Sequence, residues 1–287
     1  MVTASRVLPL ALFGVLFGFQ SGASAGPLPL ATGSMDFVVC GYGGTCEAET
    51  PPIQFPPNPN MQTVNGPNTG NGTSVGVGTI GYEPPSSSAQ TPTTQISGYL
   101  TGFPSSTLDV LFTYDFEFMA LNGSGPSVAP AELSATGGVQ ASAPSDISGD
   151  IAYAGVTITD ISGTPSTVYS ACAILGTVSV ASCGHGPVTN PFNVSPSLNL
   201  TPGDIYSLQL EISIAFDDSA APVQDQNING SIDPTITNAD PSDFQLLVSP
   251  NLVATPLPSS WTMMLIGLAG LGLVAYRRQK QPSVLAV

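Results

Sequence analysis

The residues able to do chemistry in this sequence are few, and nearly all of them are acids. His185 is the only histidine, within Cys183-Gly184-His185-Gly186-Pro187. One imidazole in a loop, with no second nitrogen ligand, does not make a zinc centre of the common kind. A phosphate-binding Gly-Lys-Ser/Thr loop and a zinc-protease HExxH motif are both absent. Between residues 7 and 276 there is no lysine for a Schiff base and no arginine to clamp an anion. The expected catalytic, cofactor-binding and metal-ligating sets are therefore empty, and the reading is of a non-enzymatic protein that needs no cofactor.

Carboxylates are the remaining candidates, because two acids at a suitable separation can hydrolyse a glycosidic bond. Asp109, Asp115 and Glu117 alternate along one segment, which puts them on one strand face, expected to meet solvent. A second group runs Asp217, Asp218, Asp225, Asp233, Asp240 and Asp243, among Asn227, Asn229 and Asn238. Calcium prefers such oxygen ligands, but the spacing does not follow the 12-residue calcium loop. Both groups read first as solubilising acidity.

Charge narrows the partners. All 19 acidic residues lie between residues 7 and 276, while the four basic ones are Arg6, Arg277, Arg278 and Lys280. The body of the chain therefore carries uncompensated negative charge. Nucleic acid is excluded as a partner, since its phosphates need Lys and Arg to displace their counterions.

These residues must be carried by strands. Gly and Pro make 59 of the 287 residues, and neither is tolerated inside helices. In Leu108–Phe118 every even-numbered position is apolar or aromatic, and of the odd ones only Leu111 is not polar. Period two turns one set to a core and the other to water. Ile205–Phe216 repeats the pattern after the turn pair Pro202-Gly203. Ile151–Thr159, Thr167–Val180 and Phe244–Val248 are further strand-like stretches. The predicted fold is all-β, an antiparallel β-sandwich over residues 96–250. Residues 26–95 are rich in Pro, Gly and Asn, with possible strands at Met35–Cys40 and Thr73–Tyr82. That stretch is expected either to join the domain or to act as a spacer.

Two ends flank this body. Residues 1–25 read as a signal peptide: Arg6, an apolar run Val7–Phe19, then Ala23-Ser24-Ala25 as a small-residue cleavage site. Export places Cys40, Cys46, Cys172 and Cys183 where disulfides persist. Of the three possible pairings, the local one (Cys40 with Cys46, Cys172 with Cys183) is preferred because each pair flanks turn-prone residues. A turn at Leu175-Gly176-Thr177 would bring the second pair opposite one another.

The tail, residues 251–287, contains a predicted transmembrane helix over about 261–276. Trp261–Tyr276 is 16 residues, about 24 Å as a helix. That is slightly short of a full hydrocarbon core. Arg277, Arg278 and Lys280 would hold its end in the cytoplasm and leave the acidic domain outside.

The tail resembles that of the bacterial PEP-CTERM proteins. Pro256 and Pro258 match the two family prolines, Trp261 the tryptophan, Gly267–Leu273 the apolar Gly-Leu stretch, and Arg277-Arg278 the basic end. Leu257 stands where the family usually has Glu, and the chain beyond Lys280 is longer than a typical tail. Weaker likenesses lie upstream in Pro202–Tyr206, Ser231–Pro234 and Asp243–Val248. The resemblance implies export in Gram-negative bacteria that make exopolysaccharide, with the tail recognised by a membrane protease, the exosortase. It does not imply one shared activity. The expected role is a surface-associated or secreted component of the extracellular matrix or biofilm. Two alternatives stand beside it. One is a carbohydrate-binding module for exopolysaccharide using Tyr153, Tyr169 and Phe192; the other is a carboxylate-dependent hydrolase.

Overall fold

In the computed structural model, the structure describes residues 28–40, 46–50, 62–65, 75–83, 93–102, 106–121, 126–142, 151–176, 183, 188–216 and 226–252. The signal peptide, His185, Asp217, Asp218, Asp225 and residues 253–287 of the tail lie outside them. Among the described residues no helix is long and apolar enough to cross a membrane.

The described strands are β1 (Thr32–Cys40), β2 (Cys46–Glu49), β3 (Gln62–Asn65), β4 (Val75–Glu83), β5 (Thr93–Gly102), β6 (Thr107–Ala120) and β7 (Ala129–Ala141). They continue as β8 (Ile151–Asp160), β9 (Ser166–Gly176), β10 (Phe192–Val194), β11 (Ser197–Leu200), β12 (Ile205–Ala215), β13 (Gln226–Asn238) and β14 (Phe244–Val248). Two antiparallel sheets result. The front sheet has the order β2-β1-β6-β12-β8-β9, with β14 also on β6; the back sheet has the order β10-β7-β13-β5-β4-β3, with β11 also on β7. The expected all-β sandwich is what forms.

The front sheet supplies most of the bulk of the core. Phe112, Tyr114, Phe116 and Phe118 of β6, with Leu208, Leu210, Ile212 and Ile214 of β12, are fully buried. The back sheet answers with glycines. A Cβ on Gly78 would stand 2.6 Å from Met35 Sδ, one on Gly98 3.1 Å from Ile212 Cγ2, and one on Gly230 2.9 Å from the same atom. Large residues on one sheet thus enter hollows left by missing side chains on the other, the interdigitation that close packing requires.

The region before residue 96 joins both sheets. β1 runs along β6 from Thr32 opposite Thr113 to Val38 opposite Thr107, and β4 pairs with β5 over its whole length. Gln95 lies inside β5. Gln226–Asn238, which carries Asp233 and Asn227, Asn229 and Asn238 of the second acidic group, forms the long strand β13. Its alternation Ile228, Gly230, Ile232, Pro234, Ile236 faces the core. Pro234 is accommodated because β5 stops pairing with β13 at Ile232.

One turn is set by special residues. Gly203 has φ of 87°, and its N–H donates to Phe118 O, so the Pro202-Gly203 turn folds onto the end of β6. The Tyr206 hydroxyl accepts from Thr201 N–H at 2.8 Å while its ring stacks on Phe116 at 5.6 Å.

Candidate functional site

The outer face of the front sheet carries most of the carboxylates that could have done chemistry. Register aligns Asp36, Asp109 and Ser213 in one row, and sets Glu211 beside Gly155 in the next. Burial raises the Asp109 carboxyl, Ser213 counters it with a hydrogen bond, and Asp36 adds repulsion; by area the residue is nonetheless exposed. Glu211 is raised by burial and then by Asp109, against a hydrogen bond from Gln209.

Asp115 and Glu117 do not face solvent, which corrects the strand-face expectation. They are 7% and 4% exposed. Leu247 of β14 and Ile205 of β12 flank Glu117 across the sheet, and Ser249 lies along the edge beside Asp115. Burial raises both carboxyls, with Ser207 partly offsetting the effect at Asp115 by a hydrogen bond. Neither can meet a polymer substrate. Asp109, the exposed member, lies six residues up the strand, about 20 Å from Asp115. The three acids do not form a working pair.

The calcium-type group is also dispersed. Asp233 is on β13, while Asp240 Oδ1 accepts from Ser242 N–H and Oγ within a tight turn. Among the described residues, no three His, Cys, Asp or Glu side chains stand together as metal ligands.

Cys172 and Cys183 form a disulfide, with Cα atoms 6.0 Å apart. It does not close a ladder of opposed strands. β9 ends at Gly176, whose φ is 91°, and Val188 returns beside Cys172 in a parallel bridge. The disulfide packs with Tyr153 and Ile174 on the outer face of the front sheet. Tyr153 reaches along its own strand over Gly155, where a Cβ would fall 2.0 Å from its hydroxyl. Burial, then the charge of Glu211, pushes its phenol up to about 12. At the other end of this sheet, register sets Cys40 opposite Cys46.

The proposed sugar-binding aromatics are not available as a platform. Tyr153 and Phe192 are buried, and Tyr169 is half-buried against the core. Phe192 lies over Gly137, where a Cβ would be 2.4 Å from its ring.

A concave feature lies on the outer face of the back sheet, a groove of about 500 Å³. Three register rows run through it, Thr136 beside Asp233, Gly138 beside Ser231 and Gln140 beside Asn229, and Ser97 and Tyr99 continue the last two rows outside it on β5. Gln95 and Asn193 complete the polar lining, with Pro191 as one wall. Asn190 fixes that wall: its Oδ1 accepts from Val139 N–H at 3.1 Å, and its Nδ2 donates to Val139 O at 2.8 Å. Sequence reading passed over this site. Its residues are scattered from 95 to 233, and only pairing between distant strands brings them together. The alternation of β13 was the available signal.

One further motif is explained by context. Gly72-Thr73-Ser74-Val75-Gly76 has the Gly-x-Ser-x-Gly spacing of a nucleophile elbow. It leads into strand β4, whereas an elbow turns from a strand into a helix.

The described sandwich ends at Leu252, and residues 254–279 match the PEP-CTERM protein-sorting motif. The chain carries a PEP-CTERM sorting signal. The match covers Pro256, Leu257, Pro258, Trp261, Arg277 and Arg278, so the Pro-Leu-Pro variant lies within the motif. A PEP-CTERM signal marks an exported protein sorted at the membrane toward the cell surface, and it implies processing by an exosortase. No curated protein matches the chain. Among solved structures, that of infectious bursal disease virus Gx strain is similar over 76% of this chain and 73% of its own, at 12% identity and a TM-score of 0.21.

Proposed function

We propose that this protein is a non-enzymatic β-sandwich of the extracellular matrix, delivered by its PEP-CTERM tail and released or transferred when an exosortase-type protease cuts that tail. The sorting motif at 254–279 carries the reading, because it lies C-terminal to β14, after the last strand described in either sheet. A cut inside the tail would leave both sheets whole. The apolar stretch 261–276 would act as a temporary membrane helix, with Arg277 and Arg278 on the cytoplasmic side. Support for a non-enzymatic body comes from Asp115 and Glu117, which are shut away from any polymer, and from the dispersal of the other acids. The carboxylate hydrolase has no comparable support.

Intact-mass measurement of the protein from its native envelope and medium tests the proposal. The expected mass lacks residues 1–25 and ends within the tail. A mature species still ending at Val287 would make the tail a permanent anchor and overturn the processing step. A glycoside hydrolase activity lost on replacing Asp109 or Glu211 would overturn the non-enzymatic reading.

A further inference from the structure

We infer that the groove on the outer face of the back sheet binds a neutral polysaccharide chain. The site is independent of the tail and of how the tail is processed.

Charge decides the ligand class first. The chain has no Lys or Arg between residues 7 and 276, and Asp233 lines the groove. A phosphate, sulfate or uronate would meet a like charge with no cation to offset it. A neutral ligand avoids that cost.

The lining then matches sugars in particular. Gln95, Gln140, Asn193 and Asn229 each present a carboxamide, which offers donors and an acceptor side by side. Adjacent hydroxyls of a sugar ring need that combination. Thr136 and Ser231 add hydroxyls that donate or accept as required. Gln95, Gln140, Asn229, Ser231 and Thr136 are exposed, so they are free to exchange water for ligand.

An apolar surface for the sugar's C–H face stands next to them. Tyr99 pairs with Asn229 across β5 and β13 and is 36% exposed, an aromatic beside the polar lining. Its hydroxyl donates to Asn227 Oδ1 at 2.9 Å, which fixes the ring's orientation before any ligand arrives. Pro191 lies at the opposite side of the groove, held by Asn190 against β7. Gly138 makes that approach possible, since a Cβ there would stand 3.1 Å from Pro191 Cβ. From β10 across β7 and β13 to β5 is three strand spacings, roughly 14 Å. A groove of that width, open along the sheet, suits a stretch of chain more than a small molecule enclosed on all sides.

Affinity electrophoresis of the full-length protein in detergent tests this, with gels containing dextran, a mixed-linkage β-glucan, a galactomannan or alginate. At least one neutral gel should retard the protein, and alginate should not. Asn229→Ala with Gln140→Ala, and separately Tyr99→Ala, should weaken that retardation about tenfold or more, a change of about 1.4 kcal/mol or more. Tyr99→Phe should retain most of it. All three substituted positions are exposed, and an unchanged melting temperature will show that folding is intact. Absence of retardation in all three neutral gels overturns the proposal. So does stronger retardation by alginate, or retardation indifferent to the substitutions.

Discussion

Asn251 grips the backbone of Ala31 with both ends of its carboxamide: Oδ1 accepts from Ala31 N–H at 2.8 Å, and Nδ2 donates to Ala31 O at 2.9 Å. The two residues are 220 apart in sequence, and this contact joins the two ends of the described sandwich. Ser249 does similar work one step earlier. Its N–H donates to Asp115 O at 2.8 Å, and its Oγ accepts from Asp115 N–H at 2.9 Å. The edge of β6 thus passes from β14 through Ser249 and Asn251 to β1 without a break.

This stitch predicts where the fold ends. Asn251→Ala should destabilise the protein by about 1–3 kcal/mol, because it strands a partly buried N–H and C=O. Truncation after Leu252 should leave the melting temperature unchanged, whereas truncation after Val248 should lower it clearly. Thermal denaturation of the three chains decides. If loss of residues 253–287 unfolds the protein, the tail belongs to the domain and the stitch is not its boundary.

Cross-strand fit within the back sheet predicts a non-additive pair, because Phe192 of β10 lies directly opposite Gly137 of β7. A Cβ on Gly137 would meet the Phe192 ring at 2.4 Å and Ser231 O at 3.0 Å, and the ring is confined in the core. Gly137→Ala should cost about 1–3 kcal/mol by overpacking. In the presence of Phe192→Leu the same change should cost distinctly less, since the smaller side chain leaves room. Chemical denaturation of the cycle measures the coupling; full additivity would show that the ring is not what resists the methyl group.

The sandwich was readable because β6 and β12 obey period two over eleven residues each, with aromatics and branched residues on the core side. β7 and β13 were not. The inward face of β7 is mostly Ala and Gly, and that of β13 interrupts its isoleucines with Gly230 and Pro234. A strand whose inward face is small gives little hydropathy signal. The same cause hid the groove, whose rows exist only once β5, β13 and β7 are paired. Asp115 and Glu117 were misplaced for a related reason: alternation fixes which face a side chain takes, but not whether that face is covered by β14 and its extension. The tail was legible without any fold, because its motif is linear.

Acidity should stabilise the domain. Burial raises the carboxyls of Asp115 and Glu117, and of Asp109 and Glu211, above the ordinary carboxylate range. The folded state then holds these protons more tightly than the unfolded chain, so stability falls as pH rises from the ordinary value through the raised folded ones. The contribution is fully present below the ordinary range and lost above the folded one. Thermal melts between pH 7 and pH 5 should show the melting temperature rising on acidification. Glu117→Gln should raise it at pH 7 and flatten the trend. A melting temperature that falls steadily from pH 7 to pH 5 would sink this account.

Two local disulfides should brace the front sheet from opposite ends. Cys172–Cys183 is formed, and register puts Cys40 directly opposite Cys46 on adjoining antiparallel strands. Non-reducing peptide mapping of exported protein should find both bonds and no peptide joining Cys40 or Cys46 to Cys172 or Cys183. The bonds should differ in consequence. Cys172–Cys183 ties a separation of 11 residues onto the outer face against Tyr153, so replacing both cysteines by Ala should cost about 2–4 kcal/mol. Cys40–Cys46 closes a shorter loop at a sheet edge, where unfolded-state entropy has less to lose. Its removal should cost less than that of Cys172–Cys183, and equal or reversed costs in denaturant titrations would show that loop length does not set the order.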